Sequence, residues 1–71
     1  MTITPQQTEK LLRGNYSFSQ LGFSMMVTRL KSVYSKDPSP TVLDKSASEI
    51  NTFFDKFKSV LANDFAIIAK L

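Results

Sequence analysis

The chain has no cysteine and no histidine. The first absence excludes disulfide staples and a thiolate nucleophile. The second removes the commonest metal ligand and the side chain that normally titrates near neutral pH. Zinc held by Asp and Glu alone would be unusual, so no cofactor or metal is expected. Long apolar runs are also missing. The longest, Phe65–Ala69, is far short of the roughly 20 residues that span a bilayer, so no membrane span is expected. The N-terminus lacks a basic stretch followed by an apolar one, so no signal peptide is visible. A cytoplasmic location, or export without a classical signal peptide, is the expectation. Glycine is scarce, and Gly14 and Gly22 form no phosphate loop.

What is present suits a small helical domain. At 71 residues there is room for one domain, 1–71. A chain of this size buries only about 60% of its unfolded surface, so its core is marginal without a staple or a partner. With disulfides and metals set aside, association with another chain is the remaining stabiliser. Hydrophobic residues make up 42% and charged residues 21%, which argues against disorder. The net charge is +3, but the nine Lys and Arg are dispersed. That is no nucleic-acid footprint.

Three helices are predicted. Thr4-Pro5-Gln6-Gln7 reads as a capping box with proline at the first helical position, opening a helix over about 5–13 that Gly14 ends in a left-handed stop. Ser17-Phe18-Ser19-Gln20 reads as a second box, with Tyr16 and Leu21 as its hydrophobic staple. Beyond it, Phe23, Met26, Val27, Leu30, Val33 and Tyr34 make one apolar face, ending near Ser35 or Lys36. Asp37-Pro38-Ser39-Pro40 is the clearest break and predicts an antiparallel helical hairpin. The third helix is expected from Thr41 or Val42, or from a later box at Ser46–Glu49. Leu43, Ala47, Ile50, Phe54, Phe57, Leu61, Ile68 and Leu71 keep a 4-3 alternation, widened by Phe53, Val60 and Ile67. Unbroken, this helix would be roughly 45 Å long. Asp64 lands where an apolar residue is due. The expectation is that the helix continues through it with a polar residue turned inward; the alternative is a break there.

The fold class is therefore all-α: a short N-terminal helix followed by an antiparallel hairpin. No side chains assemble into a catalytic set. Of the six acids, only Asp64 lies on an apolar stripe, no Ser-x-x-Lys occurs, and one carboxylate is not a site. A non-enzymatic protein without a small-molecule substrate is expected. Core packing is the plain account of the Phe-rich stripe. The functional reading is that part of it is an interface, because adjacent Phe53 and Phe54 point about 100° apart and a thin domain can hardly cover both. The expected partner interface is Phe53, Phe54, Phe57, Leu61 and Ile68, with Met25 lying off the centre of its own stripe. The partner would be another protein or a second copy, in a regulatory, adaptor, immunity-like or assembly role.

Two other readings remain open. Leu11–Tyr16 followed by Ser17–Ser24 suggests a helix-turn-helix, with Ser19, Gln20 and Ser24 at base edges and Arg29 and Lys31 on phosphates. No basic cluster supports it, and nucleic acid is not the expected partner. The layout of helix, Pro38-Ser39-Pro40 turn and long helix ending in Ile67-Ile68-Ala69-Lys70-Leu71 resembles needle-type secretion filament subunits. That resemblance implies a hairpin that buries its stripes by polymerising. The Gln and Tyr spacing of that family's second helix is not present here.

Overall fold

A computed structural model describes residues 2–71, and among them the chain is all-helical with no strand. Four helices follow one another: α1 Pro5–Arg13, α2 Leu21–Lys36, α3 Pro40–Lys56 and α4 Lys58–Ala69. The expected three-helix layout is corrected to four, because the long C-terminal helix is divided at Phe57.

α1 starts as its sequence dictates. Thr4 Oγ1 accepts from the Gln7 amide at 3.1 Å, and Gln7 Oε1 accepts from the Thr4 amide at 2.9 Å. Two otherwise open amides are satisfied reciprocally, and Pro5 takes a position where no amide is needed. The end of α1 differs from expectation. Gly14 has φ −92° and ψ −171°, an extended rather than left-handed residue. Glycine is needed there for room: a β-carbon would stand 2.3 Å from the Tyr16 ring and 3.0 Å from the Lys10 carbonyl. The Gly14 carbonyl accepts from Lys31 Nζ at 2.7 Å, which ties the end of α1 to α2.

α2 and α3 form the antiparallel hairpin. Phe23 stacks near Phe53 and Phe54, Arg29 pairs with Glu49, and the chain reverses at Asp37–Ser39. α3 begins at Pro40, ahead of both expected starts. Ser39 Oγ accepts from the Val42 amide at 3.2 Å with proline at the first position, the same device as Thr4-Pro5. Ser46 is instead buried in mid-helix. α1 lies across the hairpin, bonded at one end through the reciprocal pair Ile3 N–H to Asn51 Oδ1 (2.8 Å) and Asn51 Nδ2 to the Ile3 carbonyl (3.0 Å). At its middle Tyr34 donates to Glu9 at 3.0 Å.

The largest departure concerns the C-terminal third. α3 stops at Lys56, Phe57 takes φ −129° and ψ 44°, and α4 folds back over the open end of the hairpin. No proline or glycine imposes this corner. Burial does: the continued stripe cannot reach the core while straight, whereas folded back it places Leu61 and Ile68 at zero exposure. The chain measures 32 Å along its longest axis with a radius of gyration of 11.0 Å, against about 11 Å for a compact chain of this length. The extended second arm on which the likeness to filament subunits rests is therefore not formed.

Asp64 explains where α4 docks. It is fully buried. Its Oδ1 accepts from the Ser19 amide at 2.8 Å and the Ser19 hydroxyl at 2.9 Å, and its Oδ2 accepts from the Gln20 amide at 3.2 Å. The expected box at Ser17–Gln20 does not form. α2 starts at Leu21, and Gln20 makes no side-chain cap. A carboxylate from α4 instead holds the two residues that lead into α2, near the helix end whose dipole favours negative charge. The polar residue in the stripe is turned inward, as expected, but the break lies seven positions earlier, at Phe57.

Asp64→Ala should lower the unfolding free energy by about 3 kcal/mol, because two backbone amides and a hydroxyl lose a charged acceptor together. Asp64→Asn, which keeps one acceptor oxygen, should lose roughly half as much. Thermal melts followed by circular dichroism read both.

Candidate protein-interaction surface

Six phenylalanines form one connected cluster at the junction of the hairpin and α4. Phe23 is its hub, edge-on to Phe18 at 4.9 Å between centroids and tilted against Phe54 at 5.1 Å and Phe53 at 5.9 Å. Phe54 meets Phe65 edge-on at 5.2 Å. Phe53 meets Phe57 at 4.9 Å. The rings thus run from the sealed core at Phe23 and Phe54, through half-buried Phe53, to Phe57 at the surface. Such pairs contribute beyond the area they bury, so the outer rings are held in place by the inner ones.

The residues expected at an interface separate into two groups. Phe54, Leu61 and Ile68 are sealed inside and cannot meet a partner in this fold. The corner at Phe57 lets α4 cover them. Met25 at 63% exposure, Phe57 at 44% and half-buried Phe53 stay on one side of the molecule. Met26, the neighbour of Met25, is buried as its position on the stripe requires. Leu21 at 74%, Val60 at 53%, Val33 at 43% and Tyr16 at 38% are exposed as well. Leu21 reads as a staple in the sequence and Val60 as the flank of a stripe. Spacing alone does not reveal that the helix turns away beneath them.

The surface is a groove between α2 and α3 of about 560 Å³, lined by Met25 and Arg29 on one wall and by Glu49, Thr52, Phe53 and Lys56 on the other. None of its lining residues comes from α1. It adjoins a smaller hollow of about 150 Å³ between Gly22, Phe53, Phe57 and Val60. Phe53 forms the wall the two share. Gly22 leaves its part of the hollow open; a β-carbon there would meet only Phe53, at 3.9 Å. Among the described residues the ion pairs are Arg13–Glu9 and Arg29–Glu49, so Lys56 and Lys58 stand unpaired at the α3–α4 corner and, with Asp55 beside them, leave it a net charge of one positive unit.

Glu9 and Arg13 are committed to structure. Glu9 receives both Tyr34 and Arg13. The Arg13 guanidinium is held above its ordinary range, chiefly by neighbouring Tyr34 and then by the charge of Glu9. Among the described residues no group of three acids could hold a metal ion. Three residues of the helix-turn-helix reading are also engaged: the Ser19 hydroxyl is bonded to Asp64, Arg29 to Glu49 and Lys31 to the Gly14 carbonyl. No helix is long and apolar enough to cross a membrane. Comparison with protein-family models, with curated proteins and with solved structures finds no match to this chain.

Substitutions should separate core from surface. Phe54→Ala should cost about 3–5 kcal/mol. Met25→Ser and Phe57→Ser should each cost about 1 kcal/mol or less, as exposed positions do. Gly22→Ala should stabilise by about 0.5 kcal/mol, since the space is open and alanine favours the helix. Urea unfolding of the four variants ranks them.

Proposed function

We propose that the chain is a non-enzymatic interaction module that receives an amphipathic helix of a partner protein in the groove between α2 and α3. The observation that carries this reading is a set of apolar side chains left outside a domain whose core is otherwise closed: Met25, Phe57 and Val60, which line two adjoining hollows that share Phe53. Contiguous exposed apolar surface on a small domain marks a binding site. Rigid aromatic rings beside adaptable methionine are the side chains that anchor partners.

The groove lies between two antiparallel helices. A third helix laid along it would bury its apolar stripe as the hairpin's own helices bury theirs. Lys56 at its edge and Lys58 at the adjoining corner favour acidic residues flanking that stripe, which would guide approach and set orientation. The binding would add stability to a small domain. Catalysis is not part of this reading: the chain has neither His nor Cys, and Glu9, Glu49 and Asp64 are tied into the fold.

A synthetic helical peptide with leucines along one face and glutamates along both edges serves as the probe. Titration calorimetry should show saturable binding that weakens with salt. The double variant Met25→Asp, Phe57→Asp should lose about thirtyfold or more in affinity, the scale of two anchor residues, while its helicity is unchanged. Equal affinity for the wild type and the double variant would contradict the proposal.

A further inference from the structure

The corner at Phe57 has a second reading, independent of the outer groove. Six consecutive residues, Asp55–Val60, are all exposed, so nothing in the fold packs around the place where α3 becomes α4. The helical bonding is interrupted for one residue only. The Phe57 amide still donates to the Phe53 carbonyl at 3.1 Å, and the Leu61 amide to the Phe57 carbonyl at 3.0 Å. Between them the amides of Lys58, Ser59 and Val60 have no helical acceptor, as at any helix start, and no side chain caps them. The segment holds no proline or glycine, and the 4-3 alternation passes through it unbroken from Ala47 to Leu61. Local preference thus favours one continuous helix from Pro40 to Ala69, about 45 Å long. Only the docking of α4 opposes it.

That docking is specific and self-contained. Leu61 and Ile68 are fully buried, Asp64 accepts from the Ser19 and Gln20 amides just ahead of α2, and Phe65 packs edge-on against Phe54. The receiving surface would accept the same helix from another copy with the same bonds. We infer that two copies of this chain exchange α4: each straightens at Phe57 and lays its Lys58–Ala69 helix on the other's hairpin. Exchange preserves every α4 contact and gives the amides of Lys58, Ser59 and Val60 the helical acceptors they lack in the monomer. Phe57 returns to the apolar stripe, where two straightened helices would cross and cover it. The opposing term is the entropy of association, so the exchanged form is concentration-dependent. It is also slow to appear from folded monomer, because α4 must leave its seat first.

The test is refolding of the full-length chain from denaturant at low and at high concentration, followed by size-exclusion with light scattering. The expected result is monomer at low concentration and, at high concentration, a dimer that persists on dilution and protects the amides of residues 58–60 from exchange. Lys58→Pro should keep the monomer's helicity while lowering the dimer-to-monomer ratio about a hundredfold. Proline at the first position of α4 needs no amide and shifts Phe57 from ψ 44° toward extended backbone, further from a helix, whereas in a straight helix its ring clashes with the Phe54 carbonyl. Phe57→Gly, which removes helical preference at the corner without demanding a ring, should lower the ratio in the same direction. Met25→Asp lies on the outer groove, away from the corner, and should leave the ratio unchanged. Monomer at every concentration would overturn the inference. So would a dimer indifferent to both Lys58→Pro and Phe57→Gly, or one abolished by Met25→Asp, which would instead pair through the outer face.

Discussion

The buried carboxylate of Asp64 joins two helix segments that are each incomplete alone. α2 begins without a capping side chain of its own. α4 carries an acid in the middle of its apolar face. Brought together, the acid accepts from the Ser19 and Gln20 amides and the Ser19 hydroxyl, and neither group is left unpaired in the interior. A buried polar group without partners is costly, and a paired one fixes position. Apolar contacts at Leu61 and Ile68 would tolerate some sliding of α4. The three bonds to Asp64 choose one register. The corner at Phe57 and the closure of the hairpin's open end follow from that choice.

Closing the core in this way determines what stays outside. α1 covers the hairpin through Leu11, Leu12 and Ile3, and α4 covers its open end. The groove between α2 and α3 has no fourth element over it. The aromatic cluster spans both regions, so the exposed ring of Phe57 is positioned by Phe53, which leans on Phe23 in the core. A partner at the groove would meet a preorganised wall, which lowers the cost of ordering side chains on binding.

Much of the fold is legible in local pattern. Thr4 and Gln7, the stripe of α2 from Phe23 to Tyr34, and the turn at Asp37–Ser39 are all set by residues close in sequence. Ser39-Pro40 repeats the device of Thr4-Pro5, and that repetition locates the start of α3 better than the acidic boxes downstream do. The start of α2 is not legible, because the carboxylate that holds its lead-in at Ser19 and Gln20 comes from 44 and 45 positions away. The corner at Phe57 is hidden for a related reason: its cause is the burial gained by residues 61–68, and the local sequence Lys56-Phe57-Lys58 argues for a straight helix. The interface residues divide on this one point. Periodicity finds every apolar position of the stripe, but it cannot tell Phe54, Leu61 and Ile68, which the fold covers, from Phe57, which the corner leaves outside.

Amide hydrogen exchange on a dilute sample tests the account most directly, by comparing two short segments of the backbone. With α4 folded back, the Ser19 and Gln20 amides, bonded to Asp64, exchange slowly, while those of Lys58, Ser59 and Val60, exposed at the corner, exchange fast. The opposite pattern in a monomer, with residues 58–60 protected and residues 19 and 20 open, would mean a straight C-terminal helix and would contradict the account.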